Sequence, residues 1–543
     1  MGNKPGKEAP PSFPIDTTFK LPSPLPSWPS GEGFAKGKME LGGIEVYQVT
    51  TFTRVWRSQE GGQDNQGASF FTPAQIPEGF SILGSYAQPN NKPLFGKVLV
   101  AKETKNDDDD GEDGTAALRS PLDYSLVWTS ESLNIKQDGH GYIWLPVSPE
   151  GYKAVGLIVT ASPEKPDLDA VRCVREDLTD QCENGGSLWD NNGFSVYELR
   201  PSNRGVEAIG VHVGTFGTSL TSSLACLKNK ASNLSSMPNN NQIQTLIQAY
   251  SPWVYFHGDE PFFPSSTSWF FSNGALLYQK GNNSPTPTNP TGSNLPQGGS
   301  NDGNYWLDLP VDETEKEKVK KGDLSTSKTY IHIKPMLGGT VTDIAVWIFY
   351  PFNGAAKLKV KFINIGLGKI GEHVGDWEHI TLRVSNFNGE LWRVYYSEHS
   401  SGTWRDASEV EFEEGNKVVT YSSLHGHAMY AHAGTVLQGN VKLGIGIRND
   451  CEKGKERMDC GERFEVVVSP ETVKEPGWLN YMREWGPKIS YDIAEELKKI
   501  EKVLPGKLKK EVEKVVESLP AELLGEEGPT GPKVKDSWRF DEK

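Results

Sequence analysis

Eight of the ten histidines fall between His257 and His432. Scattered surface histidines would not crowd in this way, so the stretch is expected to hold a site. Its sharpest element is Gly371-Glu372-His373-Val374-Gly375-Asp376-Trp377-Glu378-His379, which runs into the apolar segment Ile380 to Val384. That segment reads as a strand, and successive side chains of a strand take opposite faces. Asp376, Glu378 and Ile380 then share one face, with Trp377 and His379 on the other. His373 would swing in from the turn before Gly375. One imidazole and two carboxylates therefore converge. Such a set suits a divalent cation, and its oxygen-rich donors favour magnesium, calcium or manganese over structural zinc. Without a metal, two carboxylates this close repel and one pKa rises, which gives an acid/base pair instead. A third reading is a polar strand end in which His and Asp cap turns.

Other candidates surround this motif. His257-Gly258-Asp259-Glu260 follows the aromatic run Trp253 to Phe256, so Asp259 or Glu260 would add a ligand from a neighbouring loop; a solvated loop is the plainer alternative. Ser397-Glu398-His399 sets a hydroxyl beside His and Glu, but no nucleophile-elbow pattern is present and serine hydrolysis is not expected. His425, His427 and His432 would line the same pocket or sit as core histidines. If the site is an enzyme, His399 or His427 is the candidate catalytic base acting on a bound water.

The elements that must hold these residues read as mainly β. The 57 Gly and 36 Pro in 543 residues imply many turns, and 15 Trp, 18 Tyr and 22 Phe imply large cores. Residues 1–40 read as a flexible Pro-rich leader without a secretory h-region, and Gly2 gives a partial myristoylation signal. Over 41–220 a period near 72 residues appears: Phe52-Thr53-Arg54-Val55-Trp56 returns as Tyr124-Ser125-Leu126-Val127-Trp128, and Phe71 to Phe80 returns as Trp144 to Tyr152. Gly84 then matches Gly156, and a weaker third copy begins at Leu188-Trp189-Asp190. Tandem β modules follow from this repeat. Residues 245–470 are expected to form a β-sandwich carrying the metal site, and 471–543 a helical and flexible tail, with helical spacing from Ile489 to Leu519. Five cysteines suit reduced thiols, with Cys173/Cys182 and Cys451/Cys460 as packed pairs. The net charge of −15 excludes a general nucleic-acid binder, and no apolar run is long enough for a transmembrane span. A cytoplasmic location, peripheral at a membrane, is expected.

Two resemblances follow from longer phrases. Leu25-Pro26-Ser27-Trp28-Pro29, FTPAQIPEGFSILGSYAQP, VSPEGYKAVG, VRCVREDLTDQC, YFHGDEPFFPSS and HVGDWEHITLRV make the chain from about Phe13 to Asn480 resemble the plant branch of the vacuolar protein sorting-associated 62 family. That implies a link to vacuolar trafficking and to trafficking proteins as partners. Residues from about 343 to 434 are similar to the necrosis- and ethylene-inducing-like cytolysins, on Asp376-Trp377-Glu378, on His373 three residues earlier, and on Val394-Tyr395-Tyr396-Ser397-Glu398-His399-Ser400 and His427-Ala428. The second resemblance implies a β-sandwich that binds a divalent metal and a sphingolipid head group. The second His of that family's heptapeptide is Gly375 here, and its upstream Asp ligand has Asn353 as the nearest candidate. The leading expectation is a metal-dependent protein that binds a polar lipid head group, glycan or membrane surface. A metal-dependent hydrolase and a trafficking scaffold with a structural metal are the alternatives.

Overall fold

The computed structural model describes residues 16–62, 65–104, 116–231, 234–398, 401–440, 444–488 and 529–543, with isolated positions between 489 and 528. The architecture is mainly β, with several sheets and a few short helices. The helices expected over Ile489 to Leu519 lie outside the described residues.

In the first half the repeat is a three-stranded meander. Phe52–Arg57 pairs with Ala68–Pro73, which pairs with Tyr86–Pro89. Asp123–Thr129, Tyr142–Val147 and Ile158–Thr160 repeat the pattern. Thr179–Asn191, Phe194–Pro201 and Phe216–Thr218 give a third copy. Each leading strand shifts register immediately before its tryptophan, at Arg54/Trp56, Leu126/Trp128 and Ser187/Trp189. A bulge re-aims a side chain, and here it turns all three indoles toward one centre. Trp56–Trp128, Trp56–Trp189 and Trp128–Trp189 lie 5.8, 6.0 and 5.7 Å apart, which marks an approximate three-fold axis. Gly84 and Gly156 meet beside it; a Cβ on Gly84 would stand 2.8 Å from the Gly156 Cα.

The leader is docked from residue 16 rather than loose. Phe19 N donates to Leu94 O and Ser23 N to Asn416 Oδ1, both at 2.8 Å, while Gln242 Nε2 donates to Pro29 O at 2.9 Å. Proline has no N–H to satisfy, so a few amide side chains tie this segment down.

The histidine-rich half is organised by one six-stranded sheet. Its strands are β1 (Thr329–Met336), β2 (Val341–Asn353), β3 (His373–Ser385), β4 (Leu391–Glu398), β5 (Ser401–Asp406) and β6 (Phe464–Val468), in the order β5-β4-β3-β2-β1-β6. All 13 residues of β2 are buried. On one face, Ile344, Val346, Ile348 and Ile380 pack against helix α1 (Asn240–Tyr250) through Ile243 and Leu246. On the other, Trp347, Phe349 and Trp377 meet Phe270, Trp478, Trp485 and Trp538. Val254, Val418 and Met458, from a second sheet built of Trp253–Tyr255, Lys417–Ser422 and Arg457–Asp459, join the first of these cores, so the central sheet is one layer of a β-sandwich and is covered on its other face as well. A strand buried on both faces reads as a continuous apolar run, which Ile344 to Phe352 is. The five cysteines are free thiols, four buried and Cys182 half-buried.

Candidate functional site

Strand β3 lies between β2 and β4 and carries the motif. Asp376 stands opposite Tyr350 and Glu378 opposite Ile348, while Trp377 and His379 stand opposite Phe349 and Trp347 on the other face. Gly375 has φ +70°, and a Cβ there would lie 2.4 Å from the Trp485 carbonyl oxygen. The backbone of Trp485 therefore excludes any side chain at this position. Gly375→Ala is expected to cost about 1–3 kcal/mol, read as a lower urea midpoint with an unchanged slope.

Asp376 Oδ2 meets His427 Nδ1 at 3.0 Å. The other ring nitrogen of His427 lies 3.1 Å from Phe262 O and 3.7 Å from Glu260 Oε1. The imidazole is fully buried and stacks on Tyr350, centroids 3.9 Å apart. Burial works against its charge, but the bond to Asp376 and the nearby Glu260 carboxylate overcome this and push its pKa up to about 9. Burial also raises the Asp376 carboxyl, yet the His427 bond and the His373, His427 and Lys535 charges hold it below its ordinary value. Glu378 goes the other way. Burial and the neighbouring Asp376 push it well above the carboxylate range, although the Ser397 hydroxyl donates to it. One ionised carboxylate thus sits two residues from one held toward its protonated form.

Residues 529–543, expected to be part of a flexible tail, lie as a roof over the His379 face of the sheet and also line the cavity into which Asp376 and Glu378 open. Glu542 is buried and bonds His379 Nε2 at 3.1 Å and Thr381 Oγ1 at 2.7 Å, with Lys334 Nζ at 3.4 Å. Asp541 pairs with Arg383 at 2.6 Å and with Arg204 at 2.9 Å. Trp538 stacks on His332 with centroids 3.9 Å apart. Beneath the segment is a cavity of about 540 Å³, lined by His373, Asp376, Trp377, Glu378, Tyr395 and Ser397 from the sheet and by Lys535 and Ser537 from the roof. The charge of Lys535 acts on both Asp376 and Glu378.

His373, Asp376, Glu378 and Asn353 therefore line one cavity. Asn353 Nδ2 donates to Gly371 O at 2.7 Å. Glu260 is buried but lies behind His427 and accepts from His425 N at 2.6 Å. Asp259 lines a separate hollow with His257 and Glu452. His432 is exposed, 3.3 Å from Glu411. His399 lies outside the described residues. Both ring nitrogens of His427 are engaged, so it holds Asp376 in place and has no free nitrogen to take a proton from water. The cavity's donors are oxygen-rich and include one imidazole, that of His373. Among the described residues no group of three His, Cys, Asp or Glu is placed to hold a metal ion. His427 and Lys535 already supply the positive charge. Sequence reasoning missed Lys535 and Glu542 because nothing local in the polar run Lys535 to Lys543 indicates a partner more than 150 residues away in the chain.

Comparison with known proteins gives the family. Residues 15–542 match the family profile described as vacuolar protein sorting-associated protein 62. The chain belongs to this family. A Saccharomyces cerevisiae protein provisionally named vacuolar protein sorting-associated protein TDA6 is 25% identical over 241 residues, 37% of this chain and 49% of that protein. Vacuolar protein sorting-associated protein 62 of the same yeast is 25% identical over 168 residues, 26% of this chain and 34% of that one. The matches thus span at most about half the length of these Vps62-family relatives. Among solved structures, GNIP1Aa from Chromobacterium piscinae is similar over 37% of this chain and 40% of that one, with 16% identity and a TM-score of 0.26. Necrosis and Ethylene inducing Protein 2 from the causal agent of cocoa's Witches Broom disease is similar over 34% of this chain and 67% of that one, with 14% identity and a TM-score of 0.19. No helix among the described residues of this Vps62-family chain is long and apolar enough to cross a membrane.

Proposed function

We propose that the cleft between β3 and the C-terminal roof binds a polar ligand rich in hydroxyls and bearing an amine, such as a glycan unit or a lipid head group. The observation that carries this reading is the buried pair Asp376 and Glu378 opening into the same cavity. An ionised carboxylate accepts from ammonium and hydroxyl groups, and a protonated one can also donate. Trp377 and Tyr395 supply apolar wall for a sugar ring. Lys535 models the ligand's charge from within the chain. A divalent cation is the second ligand class, and magnesium, calcium or manganese would have to compete with the Lys535 charge that acts on the two carboxylates. Hydrolysis is the weaker reading, because His427 has no free nitrogen. A role in vacuolar trafficking rests on the family alone.

The test is saturation-transfer NMR with glucosamine as the probe. Wild type is expected to show transfer to the sugar ring, and Asp376→Asn to lose about tenfold in affinity with the loss of one charge-assisted bond. Equal transfer in both proteins would remove the carboxylate pair from the reading.

A further inference from the structure

The segment from Lys357 to Gly371 contains four lysines and no Asp or Glu, in a chain of net charge −15. It begins as a hairpin, Lys357–Val360 paired with Ile363–Gly366, closed by the two residues Lys361 and Phe362. Its inner face is fixed, with Leu358 and Val360 fully buried and Lys361 N donating to Gly444 O at 2.8 Å. Its tip is not covered. Phe362 is 98% exposed and Ile363 43% exposed. Folded proteins expose single apolar residues commonly, but a bare phenylalanine at the tip of an anchored turn is a different matter, because the turn holds it out from the surface. The lysines around it are equally unused. Among the described residues, Lys359, Lys361 and Lys369 make no ion pair.

We propose that this hairpin docks on an anionic lipid surface, with Phe362 and Ile363 entering the interface and Lys359, Lys361 and Lys369 facing the head groups. The commitment to lipid rests on charge complementarity combined with an apolar tip. A basic amphipathic element gains from both the acyl boundary and the negative surface potential. The overall charge of the chain does not oppose this. Asp259, Asp450 and Glu452 share a hollow with Lys357 at the base of the hairpin, while Lys359, Lys361 and Lys369 keep their charge unpaired among the described residues, and charges more than about 10 Å from the tip are screened at physiological salt. The inference does not depend on what the cleft binds, although the hairpin leaves the sheet beside it, with Ala356 N donating to Ile370 O at 2.9 Å just ahead of His373.

The full chain is sedimented with vesicles of phosphatidylcholine alone and of phosphatidylcholine mixed with phosphatidylserine. The proposal expects binding to the mixed vesicles only, weakened by high salt. Phe362→Asp and the pair Lys359→Glu with Lys361→Glu are each expected to lower partitioning at least about tenfold, while Phe362→Trp keeps it. These side chains touch no core, so circular dichroism and melting should match wild type. Lys136→Glu, a charge reversal at an exposed lysine in the first half of the chain, serves as the control and should bind vesicles like wild type; the hairpin variants are also titrated with glucosamine, which keeps failure of the cleft reading separate. No phosphatidylserine-dependent sedimentation, or equal sedimentation of the hairpin variants, would overturn the proposal and point to an acidic protein as the occupant.

Discussion

Glu542→Ala should destabilise the protein by about 3–5 kcal/mol, the usual cost of removing one partner from a buried ion pair. The side chain of Lys334 is fully buried, and Glu542 is its acidic partner. His379 and Thr381 also lose their acceptor. Burial opposes the Glu542 charge, but His379 and Lys334 outweigh it and bring the carboxyl from 4.5 down to about 2. The sign follows. A depressed carboxylate pKa contributes stability that is present above 4.5 and lost as pH falls toward 2. The lost contribution is about 3 kcal/mol. Urea unfolding of wild type should therefore weaken through this window, and the Glu542→Ala curve should be flatter there. Lys334→Met combined with Glu542→Leu should recover much of the loss, because replacing both members of a buried pair by apolar groups is far less costly than breaking it.

His427→Phe should be of similar size, about 3–5 kcal/mol. The ring volume is kept and the stack on Tyr350 survives, so packing is not the cause. What remains is Asp376 at 8% and Glu260 at 7% exposure, with their shared cation gone. Both carboxyls would then rise in pKa and become neutral at mildly acid pH, so the penalty should shrink below neutrality. A variant equally destabilised at every pH would mean that the histidine acts through shape alone. The same substitution should weaken glucosamine binding, because Asp376 loses its fixed orientation.

Some of this was legible in the sequence and some was not, for physical reasons. The facing of Asp376, Glu378 and Ile380 follows from strand alternation, a local rule, and the structure places them so. The tryptophan repeat was legible because each copy carries its own turn and aromatic strand. The role of Val55 and Val127 as bulge residues was not, since only pairing reveals a register shift. Covering of the central sheet on both faces depends on Trp478, Trp485 and Trp538, which lie far along the chain from β2. The roof depends on contacts such as Arg204–Asp541, separated by 337 residues, and Lys334–Glu542, separated by 208. No window of sequence contains both partners. His427 was legible as a pocket candidate, but its role was not, because holding a carboxylate and accepting a proton use the same residue type.

The central claim is that the carboxylate pair takes a positively charged, hydroxylated ligand in the place where Lys535 now supplies the charge. Calorimetric titration of glucosamine into wild type and Lys535→Met tests it most directly. Removing the competing ammonium should raise affinity about tenfold, the worth of one charge-assisted bond, and adding Asp376→Asn should abolish the gain. Identical titrations for wild type and Lys535→Met, or a gain that survives Asp376→Asn, would contradict the account.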